Sequence, residues 1–374
     1  MTTMLYKRIV QAVKGLRLRS GCPKTNGIGR SHIAPEMNPS ESFLEQEEEE
    51  DSKWSNLPPE LLLDIIQRVE ADQIDWPSRR DVIVCASVCK SWRECTMETV
   101  QTPEHSGSIT FPISLMQPAP RGTPIQCFIK RDRATSTYRL YLGLTPAMSS
   151  RTSKLLLAAK RSKRATRTDF LISLSGHDFS SKSNKLVGKL KSNFLGTKFA
   201  ICESQQVSSS SKKKKKLQPA RVSMSKVGNI SYELNIIQSR GPRRMKCAFD
   251  KIPMSAIKEG GIAPTPTKFQ CPDTGSELEE PLVLRNKSPR WHEQLQCWCL
   301  NFKGRVTVAS VKNFQLVASP EPYQDISDEE QDRVILQFGK MGKDFFSMDY
   351  CYPLSAYQAF AICLSSFDTK PVCE

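Results

Sequence analysis

The chain is poor in the residues that build metal and acid–base chemistry. Four histidines serve 374 residues. His32, His105, His177 and His292 lie far apart, none beside a paired cysteine motif, so a zinc site is not expected. Cysteine is plentiful, at thirteen, but its number is odd. The closest pairs are Cys297 with Cys299 and Cys85 with Cys89, and no C-x-x-C occurs. There is no secretory signal with a small-residue cleavage site. The thiols therefore read as reduced and mostly buried, in a cytosolic or nuclear protein. No apolar run reaches the ~18 residues that would span a bilayer, so membrane contact would be peripheral. No G-x-S-x-G, P-loop or dinucleotide fingerprint is present. The chain reads as a binding protein, not an enzyme, with no cofactor.

Acid is scarce in one region. Residues 1–100 carry 13 basic and 16 acidic side chains, and residues 101–374 carry 41 and 23. Residues 151–250 alone hold 23 and 5, a net of +18, against +15 for the whole chain. Between 179 and 202 there is no acid at all. Such a field points to an anionic partner: phospholipid headgroups, nucleic acid or an acidic protein.

Three regions follow from the pattern. Residues 1–50 are basic, then acidic, and are expected to be disordered; "LYKRIVQAVKGLRLR" could instead form a short basic amphipathic helix. Residues 51–105 form a small helical module. Pro58 and Pro59 suit a helix start. Leu61, Leu62, Ile65, Ile66 and Val69 follow at helical spacing, and a second apolar helix runs from Val82 to Trp92. So thin a core suggests a partner protein that completes it.

From about residue 109 the period becomes two. In "STYRLYLGL", Tyr138, Leu140, Leu142 and Leu144 share one face. Further strands are expected at "KLLLAAK", "DFLISLSG", "KLVGKLKS", "TKFAIC", "NISYELNII", "MKCAFDKIP", "GRVTVASVKNFQLV" and "RVILQFGK". Many strands without intervening helices predict an antiparallel barrel or sandwich. Polar stretches near 203–225 and 256–281 read as disordered insertions, and "DISDEEQD" (325–332) as a solvated loop. The segment 353–367, "PLSAYQAFAICLSSF", has no polar stripe, so a helix there must be surrounded. It would thread a closed barrel or pack between two sheets.

"FKGRVTVASVKNFQ" (302–315) and "AFAICLSSFDTKPVCE" (359–374) resemble the two signatures of the tubby C-terminal domain. "GKLKSNFLGTKF", "YELN" and "GPRRM" resemble further tubby blocks in the expected order, and residues 54–95 resemble an F-box. The combination is similar to the plant tubby-like F-box proteins. The resemblance implies an α+β chain: a small helical F-box, then, over 109–374, a closed antiparallel twelve-stranded barrel around a central C-terminal hydrophobic helix. It implies a non-catalytic adaptor. The F-box would dock on the Skp adaptor of a cullin ubiquitin ligase through Leu57, Pro58, Leu61, Ile65, Val84, Val88 and Trp92. The barrel would bind phosphatidylinositol bisphosphate at the plasma membrane and engage an unknown protein substrate. The protein would divide between plasma membrane, cytoplasm and nucleus, with signalling to the nucleus. DNA binding through the basic face is the rival reading.

Lys189 and Lys191 stand two apart in a predicted strand, so they share a face. From the residues alone they are either a solvated face paired with carboxylates or a phosphate site. The resemblance makes them the lipid ligands, since the family's block carries Lys-x-Arg. This chain departs from it at Lys191, which lacks arginine's planar fork. It departs again at Asp169, usually Asn in animal members, whose charge would oppose a phosphate. The run "SSSSKKKKK" (207–216 region) reads as a charged loop or as a nuclear-import, membrane or nucleic-acid contact.

Overall fold

The computed structural model describes residues 56–72, 79–145, 154–181, 183–205, 223–233, 244–264, 280–294, 296–321, 323–324 and 326–368. The basic and acidic N-terminal segment, the polylysine run and residues 241–243 lie outside this set. The chain divides into two compact units between Gln101 and Thr102.

The first unit has three helices: α1 (Pro59–Asp72), α2 (Arg80–Val88) and α3 (Lys90–Thr99). Pro59 opens α1, where its missing N–H costs no hydrogen bond. Leu62, Ile65, Ile66 and Val69 form one buried stripe and pack on Val82, Cys85 and Trp92. The apolar run from Val82 to Trp92 was expected as one helix; it is two. The backbone is extended at Cys89 (φ −153°, ψ −177°), and its carbonyl accepts the Arg93 N–H that begins the next helix. The break lets α3 fold back and seat Trp92 in the core beside α1. A continuous helix would have carried it away along the axis.

In the second unit a short turn, α4 (Pro103–Ser106), precedes the strands β1 (Ile125–Asp132), β2 (Thr137–Leu142), β3 (Leu155–Lys163), β4 (Thr168–Ser173), β5 (Leu186–Ser192) and β6 (Lys198–Gln205). They continue with β7 (Ser223–Tyr232), β8 (Met245–Pro253), β9 (Pro281–Asn286), β10 (Arg290–His292), β11 (Cys297–Cys299), β12 (Phe314–Ala318), β13 (Leu336–Lys340) and β14 (Phe345–Tyr350). Twelve of these close into one antiparallel barrel in the order β1-β14-β13-β12-β9-β8-β7-β6-β5-β4-β3-β2, while β10 and β11 pair as a separate ribbon. Closure removes the exposed sheet edges that an open sheet of this size would leave.

Inside runs α6 (Ala356–Ser365), with nine of its ten residues buried. Ser355 caps it through a reciprocal bond with Gln358. The helix touches the wall on several sides. The Tyr357 hydroxyl donates to the Cys202 carbonyl on β6 at 2.6 Å, and Ser365 meets the Tyr232 hydroxyl on β7 at 2.7 Å. Cys363 lies near Cys127 on β1 and Cys247 on β8, and burial pushes all three thiols up. Of the two placements open to this segment, the one inside a closed barrel holds. The helix is shorter than the 353–367 span: Pro353 follows a cis peptide bond, and residues 366–368 turn away.

Three other expectations change. The segment 304–317 is a strand only from Phe314. Val306 packs on Gly339 of β13, the Thr307 N–H donates to the Lys340 carbonyl, and Asn313 bonds Val308 and Lys340. Tertiary contacts override the β-rich sequence there. Asp328–Asp332 is a helical turn, α5, capped by Ser327. Of the 256–281 stretch, residues 256–264 are placed and packed: Ala256, Ile257 and Ala263 are buried, and Arg121 donates to the carbonyls of this turn.

Candidate anion-binding face and partner surface

The β5 strand alternates strictly. Leu186, Gly188, Leu190 and Ser192 are buried, while Lys189 and Lys191 are partly exposed on the outer face. Gly188 is required by its inner neighbour, because a Cβ there would collide with the Tyr357 hydroxyl. The central helix thus braces the strand that carries the lysines.

The pair is not without a counter-charge. Asp169 on β4 stands opposite Lys191 in the ladder and diagonal to Lys189. The Lys189 Nζ lies 2.9 Å from its carboxylate, with Arg164 Nε at 3.2 Å and Arg167 Nε at 3.4 Å. Asp169 is 1 % exposed. Neither carboxylate oxygen takes an aligned hydrogen bond, so the contacts are coulombic. Of the pair, Lys189 is thus paired with a carboxylate inside the fold. The acid-free window in sequence missed a carboxylate twenty positions away, which the β4–β5 hairpin returns to the same face. Among the described residues Lys191 makes no ion pair, and it remains the cation open to an outside anion.

Beside this cluster a cavity of about 350 Å³ is lined by Arg161, Lys163, Arg164, Arg167, Ser192 and Asn193. Arg161 is tied to Asp368, after the central helix. The basic run 160–167 marks this cavity in sequence; Asp368 carries no such signal. A larger cavity, about 920 Å³, lies by the β10–β11 ribbon. Its floor is a closed network. Arg305 and Asp349 pair at 2.7 Å, and Gln337 bonds Asp349 and Gln315. These buried groups satisfy one another.

In the first unit the expected adaptor contacts divide. Pro58 and Leu61 are exposed, and Leu57, Val84 and Val88 are partly buried around the core. Ile65 (5 %) and Trp92 (1 %) are core residues. Buried in their own module, these two side chains hold the helices that carry the exposed positions. Leu63 is exposed as well, at 40 % against 44 % for Leu61, on the other flank of the buried stripe of α1.

The profile of the Tub family matches residues 115–369, the barrel, and an F-box-like profile matches residues 54–101, the three helices. The chain belongs to the tubby-like F-box proteins. It is 60 % identical to Tubby-like F-box protein 6 of Arabidopsis thaliana, over 92 % of this chain and 90 % of the relative. It is 54 % identical to Tubby-like F-box protein 2 of the same plant, over 99 % and 100 %. It is 56 % identical to Tubby-like F-box protein 5 of Oryza sativa subsp. japonica, over 86 % and 85 %. This tubby-like F-box protein therefore joins a helical F-box to a closed barrel whose outer face carries Lys189, Lys191 and the Asp169 cluster.

Proposed function

We propose that the protein is a non-catalytic adaptor. Its F-box binds the Skp-type adaptor of a cullin ubiquitin ligase. Its barrel binds phosphatidylinositol bisphosphate at the plasma membrane and engages a protein to be ubiquitinated. When the lipid is hydrolysed, the barrel is released to cytoplasm and nucleus. The observation that carries the reading is the apolar rim of the F-box. Leu61 and Leu63 stand exposed on either flank of the buried stripe of α1, a liability that a docking partner removes.

The lipid arm has modest affinity. A lysine near an anionic surface contributes ~1 kcal/mol, so two supply ~2 kcal/mol against the ~8 kcal/mol of micromolar binding. Asp169 offsets part of that, and Arg164 and Arg167 beside the cavity add to it.

Affinity purification of the intact chain tests the adaptor arm. Skp and cullin are expected to co-purify, and Leu57→Ala with Pro58→Ala to abolish capture; full capture by that variant overturns the docking surface. Vesicles test the lipid arm. Headgroup recognition separates phosphoinositides of equal charge, whereas a purely electrostatic face, such as one for DNA, responds chiefly to salt.

A further inference from the structure

Asn193 to Lys198 join β5 to β6 in a tight turn at one end of the barrel. The turn is stapled: the Asn193 side chain accepts the N–H groups of Thr197 (2.9 Å) and Lys198 (3.1 Å) and donates to the Thr197 hydroxyl (2.9 Å). Gly196 takes the left-handed backbone that the turn needs (φ 66°). The turn carries two consecutive apolar side chains, Phe194 at 65 % exposure, which also borders the cavity of about 350 Å³, and Leu195 at 53 %. The β3–β4 turn lies alongside, since the Thr168 N–H donates to the Ser192 hydroxyl at 3.0 Å. It carries Arg164 and Arg167, both well exposed. Lys198 is exposed at the start of β6. One barrel end therefore presents a rigid apolar tip inside a cationic collar.

We propose that Phe194 and Leu195 enter the outer hydrocarbon of an anionic bilayer while the surrounding cations rest on its phosphates. An aromatic and an aliphatic side chain at a stapled tip insert without the ordering cost of a mobile loop, and the collar supplies charge complementarity to anionic lipid. The inference rests on the membrane reading above and adds a second, apolar part to it. That part is insensitive to salt, whereas the collar is screened.

The test uses the full chain with two vesicle types: phosphatidylserine alone, and phosphatidylserine with phosphatidylinositol bisphosphate. Phe194→Asp with Leu195→Asp is expected to weaken binding to both by at least about tenfold, with the barrel's thermal unfolding unchanged. In Phe194→Trp, brominated acyl chains are expected to quench emission beyond that seen for the unsubstituted chain, so insertion is read without a loss of binding. Retained binding by the double aspartate variant, or no extra quenching in Phe194→Trp, overturns the insertion while leaving the headgroup reading intact. Tip-dependent binding that ignores the phosphoinositide overturns the headgroup reading and leaves the insertion standing. Binding to neither vesicle overturns both.

Discussion

Asp169 decides what a change at each neighbouring lysine can report. Lys189→Ala strips a partner from a carboxylate at 1 % exposure, so lost lipid binding there would be confounded with a disturbed β4–β5 ladder. Lys191→Ala has no such cost among the described residues. It is expected to weaken phosphoinositide-vesicle binding with the melting temperature unchanged. Asp169→Asn removes the opposing charge and should tighten binding to the same vesicles by about 1 kcal/mol, roughly fivefold. Lys191→Arg should also tighten it, by offering a fork to the phosphate.

Glu203 on β6 makes a pH prediction. Burial raises its pKa from 4.5, with Lys251 opposing. The folded chain then binds more protons than the unfolded one, so stability falls as pH rises from the unfolded value through the folded one. Glu203→Gln should remove that slope. Denaturant titrations should coincide with the unsubstituted protein at acid pH and show the variant as the more stable at neutral pH.

At the scale of the element, β5 joins a buried helix to a charged face. Gly188→Ala forces a methyl against the Tyr357 hydroxyl and is expected to cost about 1–3 kcal/mol in a chemical unfolding curve. The β2 and β5 strands were legible in sequence because they alternate without interruption, and the central helix because it lacks a polar stripe. The helix break at Cys89 was not, because neither glycine nor proline marks it and only Trp92's place in the core explains it. The valine-rich loop before β12 read as strand because its anchors, Gly339 and Lys340, lie some thirty positions away. The Lys189–Asp169 pair likewise spans twenty positions, and in sequence only the family resemblance placed Asp169 near the lysines. Each was a matter of what the fold brings alongside.

Over the whole molecule, the two units stand on cores of unequal size. Trp92 is the largest side chain in the buried set of the first unit. Trp92→Ala is expected to cost about 3–5 kcal/mol, more than so small a core can lose. Skp capture should disappear while limited proteolysis still yields an intact barrel; a captured, protease-resistant F-box would contradict it.

The helix inside the barrel comes after all twelve of the strands that enclose it, and β14, just before it, pairs with β1. A ribosome delivering this chain therefore exports the whole wall before its filling. Until Ala356 to Ser365 emerge, the nascent strands have no interior to close on. Closure so late and so non-local leaves apolar strand faces exposed to aggregation during synthesis. A polypeptide that stops short of those ten residues carries every strand of the wall and lacks the side chains that fill it.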